Sequence, residues 1–258
     1  MNNPFVEELY YNLKLSDDIS YDNPPDIIED FGDFKLTLAK GNVVIQMSSD
    51  CSNVEQARIL VEPHLRAWEL DNFLKMGKME FWFEFVDSKI VDRNPPTSDG
   101  SINLYVHNIE QLQIIDEITI HVIRKNYPSP PRNILYSPDV DSMLKRYEGF
   151  LKGKEPLLSM AYFCLSLIQS KANGRKNAAH KYFLDIKVLN LMGNLTSERG
   201  DMKEARKLDK TSTLRKLTES EQNWVRETIK IFIRRIAEYE YNPTAKYPLI
   251  DLASLAVI

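Results

Sequence analysis

One histidine of the chain stands close after an arginine, in Gly174-Arg175-Lys176-Asn177-Ala178-Ala179-His180, at what reads as a helix start. An imidazole titrating near neutrality moves a proton to or from a ribose hydroxyl or a leaving oxygen. A guanidinium holds a phosphate by paired hydrogen bonds. Arg175 and His180 together therefore supply the parts for cleaving a phosphodiester without a metal. The remaining histidines are less suggestive. His64 follows Pro63 within a helical pattern, His107 lies at a strand end, and His121 alternates within a strand. None has a histidine or cysteine partner one helical turn away, so no metal site and no cofactor is expected. Glu55, Glu62 and Glu69 recur at heptad spacing and line one face of a helix. Such a row suits acid–base work in principle, but a solvated helix face is the simpler account.

Arg175 and His180, with four residues between them at a helix start in a helical half, resemble the RNA-cleaving motif of HEPN-domain proteins, which are also helical bundles. The resemblance covers this one motif. It implies a metal-independent ribonuclease and a homodimer with the motif at its interface, two copies building one cleft.

A second candidate is a charged segment, Ser197 to Lys216, which reads as a loop. Its cations are Arg199, Arg206, Lys207, Lys210, Arg215 and Lys216. They are suited to an anionic partner, but Glu204 and Asp209 lie among them and favour an acidic protein surface over nucleic acid. The wider charge distribution agrees. Residues 1–137 hold 12 Lys+Arg against 22 Asp+Glu, and residues 138–258 hold 21 against 15, within an overall net charge of −4. A basic half of this kind meets an acidic protein or, as an open possibility, nucleic acid, or it is attracted to the acidic half. Phe81, Phe83 and Phe85 alternate as a base-stacking strand would, but Glu80, Glu84 and Asp87 beside them repel a phosphate backbone. Those rings are expected in a core.

The composition, 43% hydrophobic and 27% charged over 258 residues, is globular. Cys51 and Cys164 have no zinc-type spacing and read as reduced thiols. The start of the chain lacks the basic and apolar stretches of a signal peptide. The longest apolar run, Pro156 to Ile168, is shorter than the about 20 residues that cross a bilayer. A cytoplasmic protein without membrane attachment is expected.

Positioning these residues falls to the following elements. Residues 1–30, broken by Pro24-Pro25, read as an acidic arm with a short helix at Phe5–Leu13. Phe34 to Met47 alternates as a hairpin turning at Gly41-Asn42. Asn53 caps a helix from Val54 to Leu74 that contains Pro63 and stops at Gly77. Strands are expected at Phe81–Phe85, Ile102–Val106 and Ile118–Ile123, with a loop at Asn94–Gly100. Tyr127-Pro128-Ser129-Pro130-Pro131 then interrupts any ladder. Beyond it the period becomes helical: Asp139–Leu151, Leu157–Lys171, Asn177–Leu195, and a last helix capped by the box Thr218-Glu219-Ser220-Glu221.

The fold class is thus α+β: a small antiparallel or mixed sheet with one or two helices, then a four-helix bundle. The expected domains are residues 1–131, acidic and α/β, and residues 132–258, basic and helical. The favoured function is a non-catalytic interaction or assembly protein acting through its helical bundle and basic loop, with a protein partner or homodimer. The alternative is the HEPN-like ribonuclease.

Overall fold

A computed structural model describes residues 4–93, 121–199 and 215–255, the Glu198 side chain excepted. The architecture is α+β. The chain divides into two compact units, Met1–Pro130 and Pro131–Ile258.

In the first unit the strands are β1 (Pro4–Leu15), β2 (Ile19–Tyr21), β3 (Ile27–Asp30), β4 (Phe34–Ala39), β5 (Asn42–Met47), β6 (Phe81–Asp92) and β7 (Val122–Arg124), with helix α1 (Val54–Met76) before β6. Five strands form an antiparallel sheet in the order β3-β4-β5-β1-β6, and β2 pairs with β7 in parallel. The β4–β5 hairpin turns through Lys40 and Gly41, at φ of +50° and +80°. A two-residue turn with positive φ at both positions matches the right-handed twist of its strands, which is why glycine stands there. Asn53 accepts from the Gln56 N–H to start α1, and Gly77 ends it in the left-handed region at φ +75°.

The expected arm and helix over residues 1–30 are corrected. Pro4–Leu15 is a central strand, paired with β5 on one side and β6 on the other. The spacing misleads for a physical reason. An extra residue of β1 interrupts the β6 pairing between Val6 and Glu8, so Val6 and Leu9 both face the core. A bulge thereby converts a period of two into a helix-like interval of three. The core lies between the sheet and α1, where Val6, Leu9, Phe34, Leu36 and Ile45 meet Ala57, Val61, Leu65 and Trp68. Phe81 and Phe83 belong to this core, with Phe85 at its edge. The loop Asn94–Gly100, the strand Ile102–Val106, His107 and the first residues of the strand expected at Ile118–Ile123 lie outside the described residues.

The second unit contains α2 (Pro138–Leu151), α3 (Leu157–Lys171), α4 (Arg175–Lys181), α5 (Ile186–Glu198) and α6 (Glu219–Tyr241). The single helix expected over Asn177–Leu195 is two. Phe183 enters the left-handed region at φ +53° and stops α4. Asp185 then caps α5 by accepting from the Lys187 N–H. Five helices therefore stand where four were expected, the added one being the short α4. Helix α3 packs against α2, α4, α5 and α6. Helix α6 starts with both halves of the capping box: Glu221 N–H to Thr218 Oγ1 at 3.2 Å and Thr218 N–H to the Glu221 carboxylate at 2.8 Å.

The tail after α6 is fastened rather than loose. The Ile250 N–H donates to the Phe183 carbonyl at 3.0 Å, and the Asp185 N–H to the Ile250 carbonyl at 2.8 Å. Arg235, buried on α6, donates to the carbonyls of Tyr182, Phe183 and Pro248 and to the Glu238 carboxylate. One guanidinium thus ties the α4–α5 turn and the tail to α6.

Candidate functional site

Arg175 is the first residue of α4, and its guanidinium Nη1 donates to Asn190 Oδ1 of α5 at 3.1 Å. It lies so close over Gly193 that a Cβ there would sit 2.7 Å from Arg175 Nη2. A bare glycine in α5 is what lets the arginine lie flat on that helix. His180 is exposed, and among the described residues its ring makes no hydrogen bond or ion pair. Five helical steps of about 100° separate the two Cα atoms, so they point about 140° apart around α4. Within one chain, α4 aims Arg175 along α5 and His180 into solvent.

The basic segment has its described ends together. Arg199 and Arg215 pair in an isolated parallel bridge, so residues 200–214 leave and return at one place. That place is the start of α6, where Arg199 Nε approaches Glu221 Oε1 at 3.5 Å. Burial alone would raise the Glu221 carboxyl. The Thr218 N–H and the charges of Arg199 and Arg215 outweigh it and hold the group below the usual carboxylate range. Lys216 is exposed. Arg206, Lys207 and Lys210 lie outside the described residues.

Beside these ends a cleft of about 630 Å³ opens between the α2–α3 turn and the start of α6. Its cations come from three elements: Lys154 from the turn, Lys216 ahead of α6, and Arg226 within α6. Phe150, Pro156 and Leu217 provide apolar wall. The Arg226 guanidinium stands 5.5 Å from the Phe150 ring centroid and donates to Asn223 Oδ1 at 3.3 Å. Its Nε is buried without a hydrogen-bond partner among the described residues. The one carboxylate in the lining, Glu155, accepts from Arg146 at 2.9 Å and from the Ser159 hydroxyl at 3.3 Å. Sequence spacing gave no sign of Lys154 or Arg226, because the cleft gathers side chains from separate elements. The available signal was the Gly153-Lys154-Glu155-Pro156 turn, a basic tight turn between two helices.

The other candidates have structural placements. His64 packs against Phe31 and Phe34, with ring centroids at 4.8 and 5.2 Å, and burial lowers its pKa. His121 shares a 2.8 Å hydrogen bond with the Ser20 hydroxyl. Glu55 is exposed and Glu62 pairs with Arg58. Glu69 departs from the solvated row expected of the three. It is 3% exposed, accepts from the Phe83 N–H at 2.7 Å and pairs with Arg66. Its carboxylate ties α1 to the start of β6. Both cysteines are free and buried. Burial pushes the Cys164 thiol up to about 12, which leaves it protonated and unreactive at neutral pH.

Among the described residues no three His, Cys, Asp or Glu side chains are grouped to hold a metal ion, and no helix is long and apolar enough to cross a membrane. Comparison with known proteins returns no match: no family profile fits the chain, and no curated protein or solved structure resembles it.

Proposed function

We propose that the chain is a non-catalytic intracellular interaction or assembly protein that receives an acidic partner protein on the basic side of its helical unit. The observation that supports this is the Arg199–Arg215 bridge, which sets both ends of the basic segment at the start of α6. The segment's cations then emerge from one base, a compact array that steers and holds an acidic surface. In this reading the longer helices α2, α3, α5 and α6 act as a four-helix bundle whose rigidity fixes that base.

The test is calorimetric titration with poly-L-glutamate at low and physiological salt, comparing wild type with the triple variant Arg206→Glu, Lys207→Glu and Lys210→Glu. Salt-sensitive binding, weakened at least about tenfold by the triple reversal, is the expected result. Unchanged affinity in the triple variant removes the basic segment from the reading, and absence of binding removes the acidic partner.

A second reading, the HEPN-like metal-independent ribonuclease, is favoured by the guanidinium of Arg175 held ready by Asn190 and the solvent-open ring of His180. Their divergence on α4 requires the other half of the site to come from a second copy. Cleavage of a mixed RNA pool in EDTA, lost in both Arg175→Ala and His180→Ala, would put this reading first. Absence of cleavage at high protein concentration rejects it.

A further inference from the structure

We infer that the cleft between the α2–α3 turn and the start of α6 seats an acidic side chain of the partner together with its apolar neighbour. This rests on the acidic-partner reading and adds where the partner is held and what it presents.

Three features of the cleft select this ligand. The first is charge. Lys154, Lys216 and Arg226 contribute three positive charges to the lining, and Glu155 contributes one negative charge already answered by Arg146. A carboxylate entering the cleft meets a net positive surround without displacing an existing ion pair. The second is an unanswered donor. Arg226 Nε is buried in this wall without a partner among the described residues. A buried N–H without an acceptor costs about 1–3 kcal/mol in general, and an incoming carboxylate oxygen relieves that cost. The third is shape and polarity. Phe150, Pro156 and Leu217 leave an apolar wall beside the cations, in a volume of about 630 Å³. That space exceeds a lone carboxylate and suits two adjacent side chains.

A nucleic acid fits less well. Its bases would need an open aromatic face, and the Phe150 ring already carries the Arg226 guanidinium. Its phosphates would need a track of cations, whereas these three ring a single depression. A short acidic peptide with one large apolar residue satisfies charge, donor and wall together.

The experiment uses the full chain and two fluorescein-labelled octapeptides, seven glutamates with one central leucine and the same peptide with serine replacing leucine. Fluorescence polarisation is read for wild type, Lys154→Glu, Arg226→Met and the triple variant of the basic segment, with thermal unfolding as a fold check. Lys154 is exposed, so its reversal keeps the test valid should Arg226→Met unfold. Wild type is expected to prefer the leucine peptide by about fivefold or more. Lys154→Glu and Arg226→Met are expected to lose at least about tenfold and to abolish that preference. Peptide binding that is lost in the triple variant but untouched by Lys154→Glu overturns the cleft as the seat and leaves the acidic-partner reading standing. Failure of both peptides and of poly-L-glutamate overturns both. Binding of a short RNA oligonucleotide in place of the peptides, abolished by Lys154→Glu, overturns the ligand class.

Discussion

Arg175 and His180 are neighbours in sequence and diverge in space, whereas Lys154, Lys216 and Arg226 are distant in sequence and line one cleft. The two regions belong to the same helical unit and carry similar charge. They differ in how their side chains are supported. Arg175 is neutralised by no carboxylate and rests on Asn190 and Gly193. The cleft cations are set by a helix–helix turn and by a capped helix start, which are the stiffer parts of a bundle. Sequence proximity measures a shared element, and a site needs shared direction. The sharpest tests change one region while the other serves as control.

The largest effect is expected at Arg235, which supports α4 from below. It is 6% exposed and donates to three backbone carbonyls. Arg235→Met leaves those carbonyls unanswered, at a cost of about 3 kcal/mol or more in denaturant unfolding. Hydrogen exchange should rise in the tail around Ile250 and at the α4–α5 turn, which this residue fastens. The α2–α3 turn and the first turn of α6 should stay protected. A loss below about 1 kcal/mol, or uniform loss of protection, would show that the two regions are not separately supported.

A smaller effect is expected at the capping box that holds the cleft side. Thr218→Ala removes the acceptor of the Glu221 N–H and should cost about 1 kcal/mol. Glu221 also gives a pH test. Its folded pKa is depressed, so its contribution is complete above its unfolded value of about 4.3 and is lost as pH falls through the folded value. Thermal unfolding across that acid range should be steeper in pH for wild type than for Glu221→Gln. Equal slopes would mean that Arg199 and Arg215 do not act on this carboxylate. In the first unit the depressed pKa of His64 has the same sign, with stability lost as pH falls below about 6.5.

What was legible in the sequence follows from which interactions are local. The α1 cap at Asn53, the stop at Gly77 and the Thr218 box are contacts within four residues, and each stands where its residue types place it. The β4–β5 hairpin is equally local, its turn falling one residue earlier than the glycine suggested. The role of Pro4–Leu15 was not legible, since a bulge disguised its period and its partners lie up to 88 residues away, as in Pro4 with Asp92. The break between α4 and α5 depends on a phenylalanine at positive φ, which the tail secures from more than 60 residues downstream through Ile250. No propensity encodes that. The motif at Arg175 and His180 was visible because it is contiguous, and the cleft was invisible because its chemistry is assembled by packing.

The smallest expected effect separates the two regions most cleanly. Gly193 sits inside α5, where alanine is better than glycine by about 1 kcal/mol. The added Cβ meets Arg175 Nη2 at 2.7 Å and Arg175 Nη1 at 3.0 Å. Those atoms are the free end of a long side chain at the protein surface, so they yield at little cost. Gly193→Ala should therefore be neutral or stabilising by up to about 1 kcal/mol in urea unfolding, while Arg175 swings off Asn190. Peptide affinity at the cleft should not move, because no cleft residue touches Gly193. If α4 instead cleaves RNA with an Arg175 held in place by α5, this stabilised variant should lose turnover while its fold improves. A loss of stability would show that Arg175 is wedged against α5 and that the α4 region is as firmly built as the cleft.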